Sequence, residues 1–117
     1  RRTLESVCWR LFERPNFGYD FGGYRDGILL LDAWEIRPQR LIILNDSVWM
    51  PQRADSTLIV RMEAIEADLV GGTMHDPQGK WRGHLESYLY LINRGCLDSQ
   101  AFLRFWSQYK FSHWSVS

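Results

Sequence analysis

With 45% hydrophobic and 24% charged side chains over 117 residues, the chain has the make-up of a single globular domain and not of a disordered tail. Fourteen basic residues balance fourteen acidic ones, so no net field draws it toward nucleic acid or anionic lipid. No apolar run approaches the roughly 20 residues that cross a bilayer, and no apolar stretch follows Arg1 and Arg2 as a signal peptide would require. Cys8 and Cys96 lie far apart without metal-ligand spacing and read as two buried thiols in a reducing compartment. Aromatics reach 15%, with six Trp, and most of them are expected in the core, although a sugar ring also packs well on such faces.

Residues 7–13 alternate in a β-compatible way until Arg14, Pro15 and Asn16 stop the run. Gly22 and Gly23 open a helical stretch to about Glu35, with Tyr24, Ile28 and Leu31 near a helical period, and Pro38 ends it. The continuous apolar run at 41–44 predicts a strand buried on both faces. Asp55 and Ser56 can cap a helix whose Leu58, Ile59, Met62 and Ile65 form one stripe. A short strand follows at 68–72, then a polar loop at 73–83, a strand at 85–93, and a helix capped by Asp98 or Ser99 that carries Phe102, Phe105, Trp106 and Tyr109. Strands alternating with helices predict an α/β fold with a mostly parallel sheet flanked by helices. In such sheets ligands sit at the carboxyl ends of the strands, which selects residues 16–23, 45–50 and 71–84.

Those places carry the unusual residues. Around Asn16, Gly18 and Asp20, glycines between a strand and a helix let backbone approach a ligand, and the helix N-terminus offers N–H groups to an anion. A tight strand-to-helix turn capped by Asp20 accounts for the same pattern. Asn45, Asp46 and Ser47 follow a buried strand, where one carboxylate with waters and substrate phosphates can hold Mg²⁺ or Mn²⁺; an Asp turn closing the strand is the alternative. In the third segment, a strand would turn His84, Glu86 and Tyr88 to one face, where a His beside a carboxylate can serve as general base. A polar edge that hydrogen-bonds the loop fits those residues too, and His75 and His113 read as surface residues.

In this order the segments resemble the rhamnan synthesis F family of glycosyltransferases. Asn-x-Gly-Tyr-Asp-Phe-Gly at 16–22, Leu-Asn-Asp-Ser-Val at 44–48, and His-Leu-x-Ser-Tyr at 84–88 followed by Ala-Phe-x-x-Phe-Trp at 101–106 carry the resemblance, which runs from about Val7 to Tyr109. It implies a GT-A-like fold, a nucleotide-sugar donor such as deoxythymidine-diphosphate rhamnose, and a glycan or lipid-linked glycan acceptor. It sets Asn16, Gly18 and Asp20 near the donor's ribose or sugar, and Asn45, Asp46 and Ser47 where such enzymes carry an Asp-x-Asp metal motif. Here Asn45 and Ser47 replace the aspartates, leaving Asp46 as the one charged ligand for Mg²⁺ or Mn²⁺. His84 and Glu86 fall on the acceptor side; a base role for Glu86 is inferred from its chemistry, since the family is expected to carry Gln there.

Such enzymes begin with a nucleotide-binding half, so residues 1–117 read as the central and C-terminal part of one, with that half missing. The expected activity is inverting transfer of a rhamnose-like sugar to a growing surface polysaccharide, with Trp81 as a sugar platform in the 73–83 loop. A cytoplasmic place beside the inner membrane is implied by the family. The competing expectation is a carbohydrate-binding or scaffolding remnant that does not catalyse.

Overall fold

The computed structural model describes residues 2–47, 53–79 and 82–110. Its elements are α1 (Arg2–Val7), α2 (Tyr19–Ala33), β1 (Arg40–Leu44), α3 (Leu58–Glu63), β2 (Leu69–Gly71), β3 (Met74–His75), β4 (His84–Leu85), β5 (Leu89–Asn93), α4 (Arg94–Leu97) and α5 (Gln100–Gln108). The expected first strand at 7–13 does not form. Val7 ends α1, and Val7, Trp9, Leu11 and Phe12 are exposed without a partner strand, so the alternation lacks the ladder that makes a strand.

The main sheet has the order β1-β5-β2, and β5 is antiparallel to both neighbours. The mostly parallel, GT-A-like sheet expected from the sequence is therefore wrong among the described residues. β1 and β2 do run the same way, as a strand–helix–strand unit leads one to expect, but β5 returns between them. Alternation along the chain says which elements follow one another and not which strand is inserted where. The strand buried on both faces is accordingly β5, not β1: Leu89 and Leu91 are fully buried and Ile92 nearly so, whereas Ile42 and Leu44 on β1 are exposed.

Strand alternation on β5 divides the core in two. Ile92 joins Ile28, Ile43 and Trp106, with Phe21, Tyr24 and Tyr90 against them, under α2 and α5. Leu89 and Leu91 face Val70 and Met62, with Leu58 and Ile59 of α3 packed on that side. The α5 start follows expectation, since Ser99 Oγ accepts from the Phe102 N–H at 3.2 Å. At α3 the N-cap is Thr57, while Asp55 pairs with Arg53 and the helix ends before Ile65.

The register brings Leu44 opposite Leu89 and Gly71 opposite Tyr90. The carboxyl ends of β1 and β2 thus meet the amino end of β5 at one end of the sheet.

Candidate functional site

Helix α2 begins at Tyr19, three residues before the expected Gly22, because the turn that launches it is made by Gly18. Gly18 is buried in the left-handed region at φ 76°, which a residue without Cβ adopts freely. Arg14 ties this turn down: Nη2 donates to the Phe17 carbonyl at 2.8 Å and Nε to Asp26 Oδ2 at 2.5 Å. Asp20 lies in the first turn, where a carboxylate is favoured by the helix dipole, yet it does not cap the helix. Its Oδ2 instead accepts from Asn45 Nδ2 at 2.9 Å. Asn16 is exposed beside this turn.

That bond joins the first segment to the second. The Asn45 N–H donates to the Tyr88 carbonyl at 3.1 Å, continuing the ladder past β1. Asn45 Oδ1 accepts from the Ser47 N–H at 3.2 Å and from Ser47 Oγ at 2.8 Å, a turn closed by the Asn side chain. An aspartate at 45 would set two carboxylates in contact with each other, whereas an amide can donate to Asp20 and accept from Ser47. Asp46 is exposed between these two anchored neighbours and joins no cluster of metal-ligating side chains among the described residues. Val48 lies outside the described residues.

The third segment departs most from expectation. Residues 84–88 do not form one continuous strand; β4 ends at Leu85 and a turn intervenes before β5. The 73–83 loop contains β3, which pairs antiparallel with β4 so that His75 stands opposite His84. The two imidazoles stack with centroids 4.9 Å apart and planes 21° apart. Glu86 lies beside both, its Oε1 2.5 Å from His75 Nε2 and 3.8 Å from His84 Nε2. The Glu86 N–H donates to the Thr73 carbonyl at 2.9 Å, and the Thr73 and Tyr88 hydroxyls are hydrogen-bonded. His75 is a surface residue, as expected. Only the strand pairing shows what it faces, and the Pro77 and Gly79 turn signals between two short β-compatible runs were the available clue. Asp76 is exposed and outside this trio, and Trp81 and His113 lie outside the described residues.

Tyr24 connects α2 to the third segment, its hydroxyl donating to the Ser87 carbonyl at 2.7 Å. Burial, then the Asp20 charge, then Tyr90 push its phenol from 10.0 to about 12. Burial and then the Glu86 charge raise Tyr90 as well, and the two rings meet edge-on at 6.4 Å. The tyrosines therefore sit between Asp20 and Glu86 and stay protonated there. A pKa raised by folding stabilises the protein below the unfolded value and loses that effect as pH climbs through the folded one. Stability should consequently fall as pH rises from about 10 to about 12. Tyr24→Phe should lessen that fall and cost about 1 kcal/mol at neutral pH through the lost Ser87 bond; urea unfolding at pH values on either side of this window measures both.

One end of the sheet thus gathers Asp20, Asn45, Ser47, Glu86 and the histidines, with Asp46 next to them in the chain. The structure does not bring Asp46 into contact with Glu86 or His84 among the described residues. Carboxylates and imidazoles of this kind can hold sugar hydroxyls, a cation or a proton. A groove of about 690 Å³ among the described residues lies elsewhere: it is mostly apolar, walled by Trp9, Phe12, Trp34, Ile42 and Leu44, and none of these polar groups lines it.

The pattern that defines the rhamnan synthesis protein F family matches residues 1–113. The chain belongs to that family. A relative described as the uncharacterized protein y4gN of Sinorhizobium fredii (strain NBRC 101917 / NGR234) is 42% identical over 108 residues, which cover 91% of this chain and 28% of that protein. No solved structure matches the chain. The chain accordingly spans little more than a quarter of its relative's length. The family takes its name from rhamnan synthesis. No helix among the described residues of this family member is long and apolar enough to cross a membrane.

Proposed function

We propose that this chain is the sugar-handling part of a glycosyltransferase that moves a rhamnose-like sugar from a nucleotide donor to a growing surface polysaccharide. The observation that carries the reading is the Asn45–Asp20 hydrogen bond, which joins the first two family segments at the sheet end where the third begins. The donor sugar lies against the turn that holds Asn16, Gly18 and Asp20 and the turn that holds Asn45, Asp46 and Ser47. A single exposed carboxylate such as Asp46 fits a Mg²⁺ or Mn²⁺ ion that takes its other ligands from water and donor phosphates. When bound, such an ion would neutralise charge on the diphosphate leaving group. On the acceptor side, Glu86 with His84 receives the proton of the incoming hydroxyl, within a glycan or lipid-linked glycan. The work is done in the cytoplasm, beside the inner membrane.

Asn45 in place of an aspartate favours a second reading, a carbohydrate-binding or scaffolding region that transfers nothing. Sugar transfer by the intact protein separates the two. Asp46→Ala should lower the transfer rate on the order of a hundredfold, the scale on which groups that stabilise developing charge act. Undiminished transfer by that variant would remove Asp46 from the mechanism, and a protein that binds glycan without transferring sugar would favour the second reading.

A further inference from the structure

We propose that His75, His84 and Glu86 form a binding site for a divalent transition-metal ion of the Zn²⁺ type, separate from any Mg²⁺ or Mn²⁺ site at Asp46. The juxtaposition is what carries this. Two imidazole Nε2 atoms converge on the same carboxylate oxygen, Glu86 Oε1, at 2.5 and 3.8 Å, and the three ligand atoms all lie within 4.8 Å of one another. A hydrogen bond from His75 to Glu86 explains one of these approaches. The direct pairing of His75 with His84 across two strands explains the second, and the outcome is three ligating atoms gathered at one point.

The backbone holds the three ligands from different points. His75 and His84 are directly paired across the β3–β4 ladder, and the Glu86 N–H is fixed to the Thr73 carbonyl. A tetrahedral ion about 2.0–2.2 Å from each ligand needs neighbouring ligand atoms about 3.3 Å apart. The shortest separation therefore opens by less than 1 Å and the widest closes by about 1.5 Å, relative to the distances found here. All three side chains are between 39% and 62% exposed, so rotations about their side-chain bonds meet little resistance. Two imidazoles and one carboxylate suit Zn²⁺ and its neighbours, while Mg²⁺ prefers oxygen ligands in an octahedron. A fourth position remains for water or a ligand hydroxyl. A filled site would occupy the His84 Nε2 lone pair and Glu86 Oε1, leaving Glu86 Oε2 to accept a proton. The inference does not depend on the sugar-transfer reading.

Isothermal titration of the intact protein with ZnCl₂, compared with MgCl₂, tests it. Zn²⁺ should bind at one site, and the affinity should drop at least about tenfold in His75→Ala, in His84→Ala and in Glu86→Gln, each with unchanged far-UV circular dichroism. Mg²⁺ binding, if any occurs, should be indifferent to these substitutions. Absence of Zn²⁺ binding, or Zn²⁺ affinity unaltered in both histidine variants, would overturn the proposal.

Discussion

Gly22→Ala should destabilise the protein by about 3 kcal/mol or more, although alanine is ordinarily the better helix residue by about 1 kcal/mol. A Cβ at this position would stand 1.9 Å from the Phe17 carbonyl oxygen and 3.0 Å from Arg14 Nη2. The first contact is with backbone and cannot be relieved by turning a side chain. The Phe17 carbonyl is itself held by Arg14, and Arg14 by Asp26, so the whole turn that positions Asp20 would have to move. Gly23 provides the internal comparison. Nothing lies within 4 Å of a Cβ built there, so Gly23→Ala should stabilise by up to about 1 kcal/mol. Urea unfolding of the two variants should give shifts of opposite sign. If Gly22→Ala matched Gly23→Ala, the close approach of the turn to α2 would be wrong.

Leu91→Ala should cost about 2–5 kcal/mol. Leu91 is fully buried at the middle of β5, between Ile42 on one neighbouring strand and Val70 on the other, and it packs in the same cluster as Met62 and Leu89. Both strands pin the backbone on either side, so the site has little freedom to collapse into the space left behind. Leu44→Ala, at a side chain 50% exposed on the edge strand β1, should cost about 1 kcal/mol or less. The contrast is a test of topology. In a sheet with β1 at its centre the two effects would be reversed, and a thermal melt of each variant suffices to tell.

Much of the element order was legible because it rests on local signals. The stripe of Leu58, Ile59 and Met62, the Ser99 cap and the apolar runs of β1 and β5 each write their periodicity or chemistry into a few neighbouring residues. The pairing of strands was not legible. Residues 41–44 and 89–92 are both continuous apolar runs, and nothing within either tells the central strand from the edge one. Only the ladders do, and they put β5 in the middle and make the sheet antiparallel. Residues 7–13 differ from expectation for a related reason, since alternation without a partner strand does not make a strand.

The candidate site divides in the same way. The three family segments were found from residue types in order, and the Asn45–Asp20 bond now gives Asn45 a physical role that its chemistry as an amide fits. His75 is exposed as expected, but its neighbours His84 and Glu86 were not legible, because they are nine and eleven positions away along the chain and meet it only through a two-stranded ladder. Glycines misled in one respect: Gly22 and Gly23 looked like the start of a helix, whereas Gly18 makes the turn and Gly22 serves the close approach inside it.

Donor binding tests the central claim most directly, and a thermal-shift titration of the intact protein with deoxythymidine-diphosphate rhamnose, with and without Mg²⁺ or Mn²⁺, measures it. A donor at about a hundred times its dissociation constant adds roughly 2.7 kcal/mol, or a few °C in melting temperature for a protein several times longer than this chain. The transferase reading predicts that rise, together with a smaller one for Asp46→Ala. A melting temperature unmoved by this and every other nucleotide sugar, at concentrations where glycan still binds, would contradict it.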